Sequence, residues 1–93
     1  MIECSDGRCT LTGAVNLETV LALREDGLRL LTAPEVTLDL SGVTEVDSAA
    51  VSLLFEWRRT ALAAGRSIRY VSLPDNLVSL ARLYGVTELV DAE

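Results

Sequence analysis

The residues of this chain that could do chemistry gather in residues 36–55, VTLDLSGVTEVDSAAVSLLF. Asp39, Glu45 and Asp47 could assemble as a carboxylate group at one strand end, and Ser48 and Ser52 place hydroxyls just behind them. A serine nucleophile needs a neighbouring base to take its proton. The chain contains neither histidine nor lysine, so Ser–His and Ser–Lys schemes are both closed to Ser5, Ser48 and Ser52. Acidic residues in such loops cap, turn or face solvent, so no metal site is expected. No G-x-x-x-x-G-K-[ST] run is present, and no G-x-G-x-x-G follows a strand, so no cofactor is expected either. What remains is recognition: a non-catalytic binding module.

The elements around these residues form a platform. Val36 to Leu40 alternates apolar and polar residues, the pattern of a strand with one buried face. Ser41 to Val46 is expected to carry the chain across the sheet end, and a helix is expected over Ala49–Ala64, closed by Gly65. Ser48 stands where an N-cap should be, and Ala49 and Ala50 leave the first turn bare of bulk. Val51, Leu54, Phe55 and Leu62 mark the core face of this helix, while Leu53 and Trp57 widen its apolar arc. Those two either cover a sheet edge or a neighbouring helix, or they present an exposed partner surface rimmed by Ser52 and Glu56.

Ninety-three residues suit one domain with one core. The core must be built from Leu, Val and Ala, because the chain has only one Trp, two Tyr and one Phe. A formal charge of −6 argues against nucleic acid and against anionic lipid. No apolar run approaches the roughly 20 residues of a spanning helix. The opening Met-Ile-Glu-Cys-Ser-Asp lacks a basic n-region and an apolar h-region, so a cytosolic chain is expected.

Asp6-Gly7 signals a two-residue hairpin turn, pairing Ser5 with Arg8, Cys4 with Cys9 and Ile2 with Leu11. Ile2, Cys4, Cys9 and Leu11 then share an inner face. A disulfide is within reach of that register, but a cytosolic chain favours two reduced, mostly buried thiols. The first helix is expected from Asn16, its N-cap, to about Leu31, burying Leu17, Val20, Leu21, Leu28 and Leu31. Gly27 sits awkwardly inside it. Ser67 to Leu73 reads as a strand stopped by Pro74. A third helix, capped by Asp75 and ended by Gly85, buries Leu77, Leu80, Ala81 and Tyr84, and Leu89 and Val90 dock behind it. The order β-β-α-β-α-β-α predicts an α/β (α+β) fold, with a mixed sheet that opens on an antiparallel hairpin and continues parallel through right-handed crossovers.

The run Val36–Leu40, Gly42, Val46-Asp47-Ser48 and an alanine-rich helix start resembles the STAS domain, and the resemblance covers essentially all of residues 1–93. The anti-sigma-factor antagonists of that family carry an Asp-Ser-Ser-Gly-type turn phosphorylated on its second serine. Here the run is Asp47-Ser48-Ala49-Ala50, with Ala49 at the acceptor position. The chain is more similar still to the stand-alone MlaB-type STAS subunits of the Mla phospholipid ABC transporter, which maintains outer-membrane lipid asymmetry. It shares their length, the Asp-Ser turn with two small residues, and the run Leu80-Ala81-Arg82-Leu83-Tyr84. The resemblance implies a cytoplasmic subunit, peripheral to the inner membrane, that binds the transporter's ATPase and regulates or stabilises it. It implies that Ser48 lies at the contact and is the regulatory position. The docking face expected around it is Asp47, Ser48, Ala49, Ser52, Leu53, Glu56 and Trp57.

Overall fold

The computed structural model describes residues 1–85, so the expected docking of Leu89 and Val90 lies outside the described residues. Strands β1 (Ile2–Ser5) and β2 (Arg8–Val15) form the hairpin in the expected register, from Ile2 opposite Leu11 to Ser5 opposite Arg8. Asp6 and Gly7 both take positive φ, 51° and 81°, as a turn matching the right-handed strand twist requires. Gly7 is also pressed from outside, since a Cβ there would lie 2.8 Å from the Glu35 carbonyl oxygen. Cys4 and Cys9 are joined in a disulfide rather than left as free thiols. They are direct cross-strand partners with Cα atoms 4.1 Å apart, the close spacing of a non-hydrogen-bonded pair. Ile2, Cys9 and Leu11 face the core as expected, but Cys4 is exposed at the sheet rim.

Strand β2 then pairs parallel with β3 (Glu35–Val46), and β3 pairs parallel with β4 (Ser67–Val71), giving the sheet order β1-β2-β3-β4. Leu11, Val15, Val36, Leu38, Leu40, Ile68 and Tyr70 are buried on one face, under the helices. The intervening Thr10, Thr37, Asp39 and Arg69 fall on the other face, which keeps its polar side chains. Ser41–Val46 is therefore strand and not a crossing loop. It stays in the ladder because register shifts against β2 absorb one extra β3 residue between Asp39 and Gly42 and another between Val43 and Glu45.

Three helices cover the apolar face: α1 (Val20–Leu30), α2 (Ser48–Ala63) and α3 (Asp75–Leu83). Regular helix in α1 begins at Val20, later than expected, because residues 16–19 form a separate turn. In it the Asn16 carboxamide oxygen accepts from the amides of Glu18 and Thr19. The buried stripe of α1 is also rotated from the expected one. Leu23, Gly27 and Leu31 face the core, whereas Leu17, Leu21 and Leu28 face solvent. The rotation has a steric cause. The indole of Trp57 in α2 packs directly against Gly27, where any side chain would collide, so α1 must turn that position inward.

In α2 the core face is centred on Ala50, Leu54, Trp57 and Ala61, with Val51 and Leu53 also buried. Phe55 is only partly buried and Leu62 is exposed, contrary to the expected stripe. Tyr70 anchors this helix to the sheet: its hydroxyl donates to the Leu54 carbonyl at 2.6 Å, and the Arg58 guanidinium stacks 5.1 Å from its ring centroid. Leu77 and Ala81 hold α3 down, while Tyr84 is exposed.

Candidate partner-binding site

The end of β3 delivers the chain to the start of α2, and Asp47 makes the junction. It takes the N-cap position in extended backbone, and its Oδ1 accepts from the Ala49 amide at 2.8 Å. The expected capping role thus passes from Ser48 to its neighbour, because a carboxylate one residue earlier reaches the free amide first. The second oxygen of Asp47, Oδ2, accepts from the Leu17 amide at 3.0 Å, thirty residues away in sequence. One carboxylate therefore ties the start of α2 to the turn that precedes α1.

Ser48, relieved of capping, is exposed, and its hydroxyl has no hydrogen-bond partner among the described residues. Ala49 is half-buried behind it, with its amide already held by Asp47. Ser52 is exposed one turn further on, and Glu56 follows at the same spacing. Glu56 is ion-paired to Arg24 of α1 at 2.9 Å, with both side chains about half exposed, so it fixes the α1–α2 groove more than it offers a free charge. Leu53 and Trp57 do not join this face. They are 1% and 4% exposed and belong to the core, so of the two readings the cover over a neighbouring helix holds and the exposed partner surface with Trp57 as its anchor does not.

The other side of the helix start supplies apolar surface that the sequence reading passed over. Ser48, Val51, Ser52, Phe55 and Tyr84 line an open groove of about 190 Å³. On the α1 side, Leu17 and Leu21 are 77% and 71% exposed. The signal for these leucines was present in their helical spacing, but that spacing reads equally well as core.

The three carboxylates near this end do not act together. Asp39 accepts from the Ser41 amide at 2.8 Å. That bond, then the Ser41 hydroxyl and, more weakly, Arg8, hold the Asp39 carboxyl below the usual range. Glu45 accepts from the Asn16 carboxamide at 2.9 Å, and Asp47 caps. No group of three or more potential metal ligands occurs among the described residues, and no helix among them is long and apolar enough to cross a membrane. The site offers two exposed hydroxyls, small neighbours and a flanking apolar groove, which is the equipment for holding a protein surface.

Comparison with known proteins agrees with this architecture. The model of the family described as "Mlab, STAS domain" matches residues 3–91. Among solved structures, the anti-sigma factor antagonist SpoIIAA in its unphosphorylated form aligns with a TM-score of 0.67 at 12% identity, over 89% of this chain and 81% of that one. SLC26A9 aligns with a TM-score of 0.70 at 19% identity, over 87% of this chain but 16% of its own length. The protein Mglu aligns with a TM-score of 0.64 at 22% identity, over 81% of this chain and 20% of its own. The chain thus spans about a fifth or less of those two larger proteins. No curated protein sequence matches the chain.

Proposed function

The chain belongs to the MlaB-type STAS domain family, and on that premise we propose that it is a non-catalytic subunit which binds the ATPase of an ABC-type phospholipid transporter. Residues 1–93 act as one STAS domain that regulates or stabilises that ATPase, held at the cytoplasmic side of the inner membrane by its partner. The observation that carries this reading is the family match over residues 3–91. The contact face is the start of α2: Ser48 and Ser52, with Ala49 letting the partner backbone approach and Asp47 and Glu56 holding the frame. An exposed hydroxyl freed from capping is available to an incoming partner.

The test uses the chain as bait on a membrane extract, wild type beside Ser48→Glu and Ser52→Glu. Wild type should recover an ABC ATPase, and both variants should lose it while keeping the wild-type melting temperature. Failure of wild type to recover an ATPase overturns the assignment. Equal recovery by all three baits moves the contact to another face. A second reading, an antagonist that sequesters an anti-sigma kinase, draws on the likeness to SpoIIAA. Ala49 lacks a hydroxyl, so any phospho-switch would have to use Ser48. Recovery of a kinase in place of the ATPase would favour that reading.

A further inference from the structure

The two sulfurs of the hairpin disulfide stand in unequal surroundings. Cys4 lies on β1, an edge strand of the sheet, and is exposed, whereas Cys9 on β2 is only 4% exposed. The bond spans from one strand to the other, since the two residues are direct cross-strand partners. A thiolate breaks a disulfide by attacking one sulfur along the extension of the bond, from the side opposite the other sulfur. For Cys4 that approach comes from outside β1, where no further strand follows among the described residues. For Cys9 it comes from the β3 side, where its register partner Leu38 is 0% exposed. We propose that the Cys4–Cys9 bond is a thiol-exchange site that takes up one small-molecule thiol, as a mixed disulfide on Cys4. This inference goes beyond the ATPase assignment and holds whatever protein contacts Ser48.

The step balances with the thiol alone. The external thiol loses its proton, its sulfur bonds to the Cys4 sulfur, and the electron pair of the broken bond leaves on Cys9, which takes up a proton. One disulfide replaces another, so there is no net oxidation or reduction. A second thiol attacking the external sulfur then frees Cys4 and departs joined to the first as a small disulfide. The hairpin keeps its register throughout. Ile2 and Leu11, opposite each other, are 6% and 1% exposed, and the Thr37 amide donates to the Gly7 carbonyl at 2.9 Å. Cys9 is therefore held facing Cys4 and can expel the adduct when the thiol pool falls. The site is also separate from the contact proposed for Ser48. Cys9 is level with Leu38, near the start of β3, and Asp47 follows the end of that strand. Small thiols are the reactants that a cytoplasm supplies, but the exchange itself holds wherever the chain meets them.

The experiment exposes the air-oxidised full chain to reduced glutathione and stops samples over time with excess N-ethylmaleimide in denaturant, which blocks every free thiol. Trypsin then cuts after Arg8 and separates the two cysteines, Cys4 in residues 1–8 and Cys9 in residues 9–24. At early times mass spectrometry should find glutathione on residues 1–8 at least about tenfold more often than on residues 9–24, the latter carrying the blocking reagent. The same exposure of chain already unfolded in denaturant removes the shielding of Cys9 and should bring the two peptides to similar levels. Two variants keep the test decisive where Cys9 expels the adduct too fast to trap. Cys9→Ala, with Cys4 left free, should take up glutathione from oxidised glutathione at least about tenfold faster than Cys4→Ala, with Cys9 left free. An excess of adduct on Cys9, a bias that survives denaturant, equal rates in the two variants, or an air-oxidised chain that still holds two free thiols would each overturn the proposal.

Discussion

Gly27 and Trp57 fit as bare backbone against a flat ring: a Cβ added at Gly27 would lie 2.2 Å from the indole Nε1 and 2.3 Å from Cε2. This contact sets how far α1 is rotated, and so decides which of its leucines are buried. Gly27→Ala should therefore destabilise the fold. Overpacking a core costs roughly 1–3 kcal/mol, and the better helix propensity of alanine returns only about 1 kcal/mol. Denaturant unfolding should report a net loss of about 1 kcal/mol, and wild-type stability would mean that the indole moves aside freely.

The partner substitution tests the same contact from the other side. Trp57 Nε1 has no hydrogen-bond partner among the described residues, so Trp57→Phe removes ring volume without breaking a bond. It should be milder than Trp57→Ala, for which about 3–5 kcal/mol is expected. Combining Trp57→Phe with Gly27→Ala should cost less than the sum of the two, and strict additivity in that cycle would count against direct contact.

Asp47 and Ser48 should separate stability from recognition. Asp47→Ala removes the acceptor for both Ala49 and Leu17 and should cost about 1–2 kcal/mol. Hydrogen exchange at both amides should quicken together. Ser48→Ala removes an exposed hydroxyl that caps nothing and should stay within about 0.5 kcal/mol of wild type. A cost near 1 kcal/mol for Ser48→Ala would return the cap to Ser48.

The pH dependence is simple at the alkaline end. Burial raises the Tyr70 phenol well above its ordinary range, opposed only in part by the Arg58 charge. Its neutral form is the one the fold stabilises. The contribution is therefore complete below the unfolded-state value, about 10, and is lost as pH rises beyond it. With no lysine and with both cysteines in the disulfide, few other groups titrate there. Tyr70→Phe should flatten the fall in stability above about pH 10. At the acid end Asp39 has the opposite sense, because its lowered range adds stability above about pH 4 that fades below it. That effect should be slight, since the carboxylate is almost fully solvated. An alkaline limb unchanged in Tyr70→Phe would reassign the transition.

Reduction of Cys4–Cys9 should leave the fold intact but weaken it. The bridge closes a short loop within an already paired hairpin, for which chain entropy gives about 2 kcal/mol. Thermal unfolding with and without a reductant reads this directly, and identical midpoints would show that the thiols are already free in solution.

Much of this fold is legible in the chain. The Asp6-Gly7 turn fixes the hairpin register residue by residue, and strand–helix alternation yields the mixed sheet. What periodicity could not resolve is phase. Between positions 17 and 31 there are leucines on two adjacent helical rows, and only the demand of Trp57 for a bare backbone chooses between them. The same contact hides Trp57, whose size and spacing from Leu53 suit either cover for a neighbouring helix or a surface anchor, and a glycine on another helix decides for the former. The strand-to-helix junction at Asp47-Ser48 was legible as a junction, but which of the two residues caps depends on backbone geometry that type and spacing do not encode. The continuation of β3 through residues 41–46 was missed because extra residues inside a ladder break the alternation that marks a strand.

The two-handed grip of Asp47 has an evolutionary consequence. Its oxygens serve the amides of Leu17, in the turn before α1, and Ala49, in the first turn of α2. Any side chain that replaces it must satisfy both or give up the alignment of two helices. Ser48 and Ser52 beside it carry no such duty. A lineage changing partners is therefore free to rewrite the two serines while the aspartate between strand and helix stays fixed. Divergence at this end of the molecule should run through the hydroxyls and stop at the carboxylate.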